Sequence, residues 1–321
     1  MNDLTVVIIN YRTADMVINC LKTLLPELID VSCCIVIIDN ASNDGSFENI
    51  RDWVSESGDT AIIKLVGSMS NGGFSSGNNL GIKERDSKYY LLLNSDTLIR
   101  PQSIQLLLKS ASVNKYAGLI TPRLEWPDGS PQESCFLFHS PLSELISSAQ
   151  TGFITKLLSK YNVPLATIDG ASKPDWSSFA CVLIKKEVFN DVGFMDDGYF
   201  MYFEDAEFCH RARKAGWKVL NEPSAHVVHL RGGSSPVKEN TKLRKRLPRY
   251  YYESRTRYFY QTHGWLGLTS ANLLWIAGRI ISKIRQMLGR SDKAVSEKQW
   301  LDIWINWLNP LKPYIHPDNY K

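Results

Sequence analysis

The chain has 321 residues, of which 44% are hydrophobic and 22% are charged, so it can bury a sizeable core and is not a disordered protein. Its net charge of +4 is too small to indicate a nucleic-acid partner. The positive charge is concentrated in residues 242–257, which predicts a partner with an anionic group, such as a phosphate or a membrane surface. The basic residues of this segment, set against Glu253 alone, are Lys242, Arg244, Lys245, Arg246, Arg249, Arg255 and Arg257.

The six cysteines form no CxxC pair and no zinc-ligand spacing, so we interpret them as reduced thiols of a cytoplasmic protein. The chain enters its first apolar run without a basic flank or a small-residue cleavage site, and no signal peptide is predicted. The cysteines are Cys20, Cys33, Cys34, Cys135, Cys181 and Cys209.

Strands and helices are predicted to alternate along the first hundred residues. Apolar runs at residues 4–10, 34–38, 61–66 and 89–93 predict buried strands, and apolar residues at helical spacing lie between them. This order predicts a doubly wound α/β sheet, which binds ligands at the carboxyl ends of its strands. The polar residues at those ends are Asn10-Tyr11, Asp39-Asn40 and Asn94-Ser95-Asp96.

The second half of the chain is less regular. Residues 123–174 contain turn signals and a mixed apolar segment, and a strand at 180–184 and a helix starting at Lys186 follow. Beyond Pro236 the sequence becomes basic, aromatic and helical. We therefore predict one domain over residues 1–235 and a helical extension over residues 236–321.

Two strand-end carboxylates suit nucleotide chemistry. Asp96 can hold a hard divalent cation that bridges a diphosphate, although Asn, Ser and Asp are also ordinary turn formers. Asp39 can accept hydrogen bonds from a base or ribose, or it can cap the turn that follows it.

Residues 71–81 are rich in glycine but match neither the GxGxxG motif nor a P-loop. Gly73, Gly77 and Gly81 are four residues apart, which gives a helix a bare face for close packing. Packing and ligand contact are equally compatible with this spacing.

Glu204 and Asp205 are adjacent carboxylates in an aromatic stretch. Burial among aromatics raises a carboxyl pKa toward that of a general base. The same residues also suit a helix N-terminus, where acidic side chains favour the helix dipole, and the pattern over 204–214 predicts such a helix. Of the two nearby histidines, His226 and His229, we favour His229 as a metal ligand because it lies two residues before Arg231, which two glycines follow.

Together these segments resemble the family 2 glycosyltransferases, in particular the rhamnosyltransferase-like branch, over about the first 235 residues. Each motif is weak alone, but their order and spacing are specific. The motifs are Val7 to Tyr11, Asp39 to Ser46, Asn71 to Phe74 with Gly77-Asn78, Leu92 to Asp96, Phe200 to Asp205, Arg211 to Trp217, and His229 to Ser234.

The resemblance implies a GT-A fold, with a mixed sheet flanked by helices, and an inverting, metal-dependent transfer of a sugar to a hydroxyl group. Asp205 resembles the catalytic base, with Glu204 beside it, and Asp96 and His229 resemble ligands of Mn2+ or Mg2+. Asp39 is expected to face the base of the nucleotide. The residues implied for the nucleotide-sugar site are Asn10, Tyr11, Asp39, Asn71, Gly73, Asn78, Asn94, Asp96 and Arg231.

The same resemblance implies substrates. The donor is expected to be dTDP-L-rhamnose, and the acceptor a polyprenyl-diphosphate-linked glycan in cell-surface polysaccharide synthesis. Two departures stand out. Asn94 replaces the first aspartate of the Asp-x-Asp motif, and Phe179 occupies a place near the acceptor where many relatives have glycine.

The C-terminal region favours a membrane surface on the cytoplasmic side. Residues 264–278 are uncharged but too short to span a bilayer. Two amphipathic stripes follow, which suit an interfacial helix but also suit packing on the catalytic domain or on another subunit, so oligomeric state stays open. The stripes are Leu273, Ile276, Ala277, Ile280, Ile281, Ile284, Met287 and Leu288, and then Trp300, Trp304, Trp307 and Leu308.

Two other functions fit the sequence less well. A sugar nucleotidylyltransferase usually needs a glycine-rich, basic loop after its first strand, where this chain has Asn10-Tyr11-Arg12-Thr13. A non-catalytic sugar- or nucleotide-binding subunit would not need the combination of Asp96, Glu204, Asp205 and His229.

Overall fold

The computed structural model describes residues 2–165, 174–231, 236–290 and 295–320. These residues form two compact units. Unit 1 contains the described residues of Met1–Cys135, Ala166–Asp197 and Phe208–Ser234. Unit 2 contains those of Phe136–Leu165, Gly198–Glu207 and Ser235–Lys321. The boundary predicted at residue 236 lies where the chain enters unit 2 for the last time, but unit 2 also takes in two earlier segments.

Unit 1 is built on an eight-stranded mixed sheet. Its strands are β1 (Asn2–Asn10), β2 (Cys33–Asp39), β3 (Ile63–Gly67), β4 (Ser87–Asn94), β5 (Thr97–Ile99), β6 (Ala117–Glu125), β9 (Cys181–Lys185) and β10 (Lys218–His229). They are arranged in the order β3-β2-β1-β4-β9-β6-β10-β5. The first four strands of this order are parallel, and β9 is antiparallel to β4 and β6. β6 and β10 are parallel, and β5 is antiparallel to β10. A separate two-stranded sheet contains β7 (Cys135–Phe136) and β8 (Trp176–Ser177).

Helices connect these strands. They are α1 (Ala14–Leu24), α2 (Ser46–Ser57), α3 (Gly73–Lys83), α4 (Ser103–Val113), α7 (Lys186–Val192) and α8 (Glu204–Lys214), the last of which contributes residues to both units. Unit 2 contains α5 (Pro141–Ala149), α6 (Gly152–Leu157), α9 (Val237–Leu243), α10 (Arg249–Met287) and α11 (Gln299–Asp302).

Both faces of the central strands are covered, as expected for a doubly wound sheet. Leu4, Val6 and Ile8 are fully buried in a core that also includes residues of α1, α2 and α4. The alternate residues of β1 point to the opposite face because successive side chains of a strand alternate. The run of valine and isoleucine that predicts a buried strand therefore serves two layers at once.

Close packing on that opposite face depends on two glycines of α3. A Cβ atom at Gly77 would lie 3.0 Å from Ile9 Cδ1, and one at Gly81 would collide with Val7 Cγ1. The bare face predicted from the spacing of these glycines is therefore a packing surface for β1. The start of α3 is consequently fixed close to the end of that strand.

Unit 2 is centred on the packing of α5 against α10. Gly278 makes this packing possible, because a Cβ there would lie 2.8 Å from the backbone nitrogen of Ala149. The helix α10 is interrupted at Gly264, where φ is 67° and ψ is −171°. Arg255 is buried between the helices and donates to Glu144 Oε2 at 2.8 Å and to Asn272 Oδ1 at 2.7 Å.

The basic segment is partly neutralised within unit 2. Arg246 forms a bidentate pair with Asp302, at 2.8 and 2.7 Å, and Arg249 pairs with Glu253 at 2.8 Å. Together with Arg255, three of the seven basic residues thus stabilise the unit itself and are not available to an anionic partner. Lys242, Arg244 and Lys245 remain exposed.

The prediction that the second stripe lies on a helix is wrong. This stripe consists of Trp300, Trp304, Trp307 and Leu308. Helix α11 ends at Asp302, and turns follow. Asn306 has a φ of 57°, which a right-handed helix does not accommodate. Trp307 packs edge-on against Trp304, with ring centres 5.8 Å apart, and donates its indole N–H to Thr269 Oγ1 at 3.1 Å, so these two rings pack within unit 2. Within the described residues, no helix is long and apolar enough to cross a membrane.

A glycine-to-alanine pair tests the packing of α3. Gly81→Ala should lower the free energy of unfolding by about 1–3 kcal/mol, because the added methyl overpacks the contact with Val7. Gly152→Ala is the matched control, since a Cβ there meets nothing within 4 Å. Urea denaturation measures both variants. Equal stability of the two would contradict this packing.

Candidate active site

Asp96 and His229 are brought together by strand pairing. β5 runs antiparallel to β10 so that Thr97 lies opposite His229, and Asp96 directly precedes Thr97. His229 Nε2 lies 3.5 Å from Asp96 Oδ2. Both residues are buried, with exposed fractions of 7% and 5%. Two residues that are 133 positions apart thus form one polar pair at the end of the sheet.

This pair fits a divalent cation. His229 turns Nε2 toward the carboxylate of Asp96, so this nitrogen and the carboxylate oxygens are the atoms that would share a cation. One imidazole and one carboxylate suit Mn2+ or Mg2+. The described residues contain no group of three or more His, Cys, Asp or Glu that could hold a metal. A cation at Asp96 and His229 would therefore complete its coordination with ligand oxygens and water.

Gln132 is a site residue that the sequence analysis missed. Its buried side chain donates through Nε2 to the carbonyl oxygens of His229, at 2.7 Å, and of Glu125, at 3.1 Å. Its Oε1 accepts from Arg231 Nε at 2.5 Å. One amide therefore fixes the backbone of His229 and the side chain of Arg231.

Arg231 lies beside this pair. Its guanidinium is 5.1 Å from the centre of the Trp126 ring. Burial lowers the pKa of Arg231, while the charges of Glu133 and Asp96 act in the opposite direction. The residues Gly232, Gly233 and Ser234 of the same motif lie outside the described residues. Arg231 is thus a cation held near Asp96, as expected for a group that meets a diphosphate.

His226 has a structural role. Its Nδ1 lies 3.0 Å from Glu125 Oε2, and Arg100 donates to the other carboxylate oxygen at 2.9 Å. Burial alone would raise the pKa of Glu125, but the hydrogen bonds from Arg100 and His226 outweigh it, so the pKa lies below its ordinary value. His226 thus already has a carboxylate partner, and His229 stays the predicted ligand.

Asp39 organises the loops that follow β1 and β2. Its Oδ1 accepts from Asn10 Nδ2 and from Ser42 Oγ, each at 2.6 Å, and its Oδ2 accepts from Ser42 N at 3.1 Å. Asn10 is fully buried. Its Oδ1 in turn accepts from the backbone N–H of Thr13 at 3.1 Å. Asn10 and Asp39 thus hold the two loops together, and the side chain of Tyr11 is half-buried next to them.

The start of α3 is tied to the same edge. Asn40 Nδ2 donates to Asn71 Oδ1 at 3.2 Å and to the carbonyl of Gly73 at 3.0 Å, and Asn71 also accepts from Gly73 N. Asn78 is buried and donates to the carbonyl of Phe74 at 3.0 Å. Asn71 and Gly73 therefore shape the start of α3, whereas the bond of Asn78 lies within that helix.

Four residues with left-handed backbone lie just after strands of the sheet. Arg12 (φ 58°), Ala41 (φ 57°) and Asn43 (φ 51°) follow β1 and β2, and Arg231 (φ 55°) follows β10. Each of these conformations is uncommon for a residue with a side chain, and such strain tends to collect at functional sites. The carboxyl edge of the sheet is therefore the candidate ligand site of unit 1. Asn94, at the end of β4, is half-buried there.

Glu204 and Asp205 lie in different surroundings although they are adjacent. Glu204 is buried, and its Oε2 has no hydrogen-bond partner among the described residues. Burial, and then the charge of Asp205, raise the pKa of Glu204 well above its ordinary value. Asp205 is half-buried, and its Oδ1 accepts from the backbone N–H of Ala206 at 2.8 Å. The protonated form of Glu204 is thus favoured, and it places no like charge beside Asp205.

The backbone before this pair is strained in the same way. Tyr202 and Phe203 have φ angles of 73° and 67°. Aromatic packing holds them, since Tyr202 stacks on Tyr250 and Phe203 contacts Tyr251 at 5.6 Å. The energetic cost of two consecutive left-handed residues is thus offset by ring contacts, and α8 starts at Glu204 in a fixed direction.

Phe179 does not line an acceptor pocket within unit 1. Its side chain is 2% exposed and packs edge-on against Phe208 at 5.9 Å. The ring thus fills the core, as Phe208 and Ala212 of α8 also do. The six cysteines are all free thiols.

The site can now be compared with known proteins. The family model for glycosyl transferase family 2 matches residues 5–206. The chain is 29% identical over 233 residues to Agl10, a low-salt glycan biosynthesis hexosyltransferase of Haloferax volcanii, and the match covers 71% of this chain and 67% of that protein. It is 30% identical over 148 residues to an N-acetylglucosaminyl-diphospho-decaprenol L-rhamnosyltransferase of Mycobacterium tuberculosis, over 46% of this chain and 48% of that enzyme. The chain thus matches about half the length of the mycobacterial relative.

A solved structure has the same fold. It is the mannosyltransferase PcManGT from Pyrobaculum calidifontis, in complex with GDP-Man and Mn2+, with a TM-score of 0.57. The two chains are 11% identical, and the match covers 91% of this chain and 79% of the other. The predicted GT-A fold is confirmed.

The buried carboxyl of Glu204 should make stability depend on pH. Since its folded pKa is raised, the stability that its protonated form contributes is present below the unfolded pKa of about 4.3 and is lost as pH rises through the folded pKa. Glu204→Gln removes this loss. The difference in free energy of unfolding between this variant and the wild type should therefore grow in favour of the variant from pH 5 to pH 8. The growth is about 1.4 kcal/mol for each pH unit that lies below the folded pKa of Glu204.

Urea denaturation at the two pH values measures this gain. Glu56→Gln, at an exposed position of α2, is the control and should leave the pH dependence of the wild type unchanged. Parallel pH profiles for Glu204→Gln and the wild type would contradict the buried, protonated state.

Proposed function

The chain belongs to family 2 of the glycosyltransferases, and we propose that it transfers L-rhamnose from dTDP-L-rhamnose to a hydroxyl of a polyprenyl-diphosphate-linked glycan. The observation that carries the proposal is the buried pair of Asp96 and His229 at the carboxyl edge of the sheet, where a nucleotide diphosphate with its cation would bind. The substrate classes are supported by the resemblance to the rhamnosyltransferase-like branch and by the mycobacterial relative, whose name specifies both L-rhamnose and a decaprenol-linked acceptor.

Unit 1 supplies the groups for the donor. Asp96 and His229 would hold Mn2+ or Mg2+, with the imidazole ligand favouring Mn2+. Such a cation neutralises charge on the diphosphate leaving group. Arg231 adds a fixed positive charge beside Asp96, and Gln132 keeps both Arg231 and the backbone of His229 in place. Because these groups are buried and held before the donor binds, their electrostatic effect needs no reorganisation.

Asp205 is the proposed base. It takes the proton from the acceptor hydroxyl while that oxygen attacks the anomeric carbon on the face opposite the diphosphate. A single displacement of this kind inverts the anomeric configuration. Glu204 is not assigned this task, because burial and the neighbouring charge raise its pKa well above the ordinary value and favour its protonated form. A proton on Glu204 removes a like charge beside Asp205.

A panel of nucleotide sugars tests the donor. With Mn2+ present, dTDP-L-rhamnose should raise the melting temperature more than dTDP-glucose, UDP-glucose or GDP-mannose, because bound ligand stabilises the folded state in proportion to its affinity. Differential scanning fluorimetry measures the shifts, and Asp96→Asn is the control that should lose them. A larger shift with another sugar would replace the donor assignment, and no shift with any donor would count against nucleotide-sugar binding.

A pair of amide substitutions tests the base. Asp205→Asn should lower kcat about 10²- to 10⁴-fold and leave the KM for the donor nearly unchanged, since it removes only the proton acceptor. Glu204→Gln replaces one neutral group by another of the same shape and should keep most of the activity. Rates of dTDP release with a synthetic prenyl-diphosphate N-acetylglucosamine acceptor measure both. If Glu204→Gln is the more damaged variant, the assignment must be reversed.

A further inference from the structure

The second segment of α10, after Gly264, has an unusual distribution of side chains. Its exposed face carries large apolar residues, all within an arc of about 100° on a helix of 3.6 residues per turn. Such a face is normally buried, because exposing it to water is unfavourable. The residues, with their exposed fractions, are Leu266 (85%), Leu273 (55%), Ile280 (56%), Ile284 (51%), Met287 (85%) and Leu288 (75%).

The covered face of the same segment is complete without the exposed residues. Leu268 and Trp275 are buried in unit 2, Gly278 packs closely against it, and Asn272 donates to the carbonyl of Ile303 at 2.9 Å. Packing within unit 2 therefore accounts for the covered face and leaves the exposed apolar face unexplained.

Helix α6 adds to the same surface. Arg285 of α10 donates to the carbonyl of Gln150 at 2.8 Å, and α6 starts two residues after Gln150. Phe153 and Leu157, one helical turn apart on α6, are 78% and 69% exposed. We use the name α6–α10 surface for these two residues and the six apolar residues of α10.

The charges around the α6–α10 surface have one sign. On α10, Lys283 and Arg285 flank the apolar arc on its two sides, and on α6 and the turn after it, Lys156 and Lys160 are exposed. No aspartate or glutamate occurs in residues 145–165 or 254–290. Apolar residues bordered by Lys and Arg suit the interface of a bilayer that carries anionic headgroups.

We propose that the α6–α10 surface docks on the surface of an anionic lipid bilayer. A second copy of the chain is a poorer occupant, because an isologous dimer would set the cations of one copy against those of the other. Lipid phosphates instead complement them, while acyl chains and headgroup regions receive the apolar side chains. This inference deepens the proposed function. It rests on that function in one respect, which is that the enzyme would meet a lipid-linked acceptor at a membrane surface.

Vesicle binding tests the proposal without any acceptor. The intact protein should bind phosphatidylglycerol-phosphatidylcholine vesicles at low salt at least ten-fold more tightly than vesicles of phosphatidylcholine alone. Ile280→Gln/Ile284→Gln should lower binding to the anionic vesicles about ten-fold or more. The matched control is Ile29→Gln/Val113→Gln, which changes two exposed apolar residues of unit 1 and should bind as the wild type does. Vesicle flotation measures all three proteins, and their melting temperatures verify folding.

Three results would overturn the proposal. The first is equal vesicle binding by the two double variants, and the second is no vesicle binding by the wild type. The third is a stable dimer in light scattering that Ile280→Gln/Ile284→Gln dissociates, because a second copy would then cover the surface. Donor binding and sugar transfer are measured separately from vesicle binding. A failure of the proposed function therefore leaves the vesicle result intact, and a failure of vesicle binding leaves the donor and transfer results intact.

Discussion

The antiparallel pairing of β5 with β10 is the constraint on which the proposed donor site depends. It sets Thr97 opposite His229 and thereby places the buried carboxylate of Asp96 beside the imidazole. Arg231 and Gln132 surround the pair with a cation and a fixed amide. The strands thus bring a carboxylate, an imidazole and a guanidinium together at one edge of the sheet, which is the set of groups that the proposed metal-diphosphate site requires.

Much of this arrangement could be predicted from the sequence, because it follows from local patterns. The apolar runs predicted β1, β2 and β4 to within a few residues, and the spacing of Gly77 and Gly81 indicated the packing face of α3. Asp39 and Asp96 directly follow or end such strands, so the topology of a doubly wound sheet was enough to bring them to one edge. The helix at Glu204 was also predictable, since its acidic first turn and basic last turn match the helix dipole.

The remainder depends on contacts between distant residues. Gln132 lies in a stretch without periodicity, and its partner His229 is 97 residues away. β10 contains Pro223 and Ser224, which resemble a turn, and a register shift between Glu222 and His226 allows the strand to continue past them. Trp304 and Trp307 have helical spacing, yet the left-handed Asn306 and the bond from Trp307 to Thr269 determine a compact turn. Such bonds have no signature in a local window of sequence.

The central claim is that Asp96 and His229 hold the cation of the nucleotide donor, and pulsed electron paramagnetic resonance on Mn2+ tests it most directly. In the presence of dTDP, the Mn2+ spectrum of the wild type should show hyperfine coupling to an imidazole nitrogen, and His229→Ala should lose it. His226→Ala, at the histidine that pairs with Glu125, should keep the coupling. Mn2+ bound with dTDP but without nitrogen coupling, or with a coupling that survives in His229→Ala, would contradict the account.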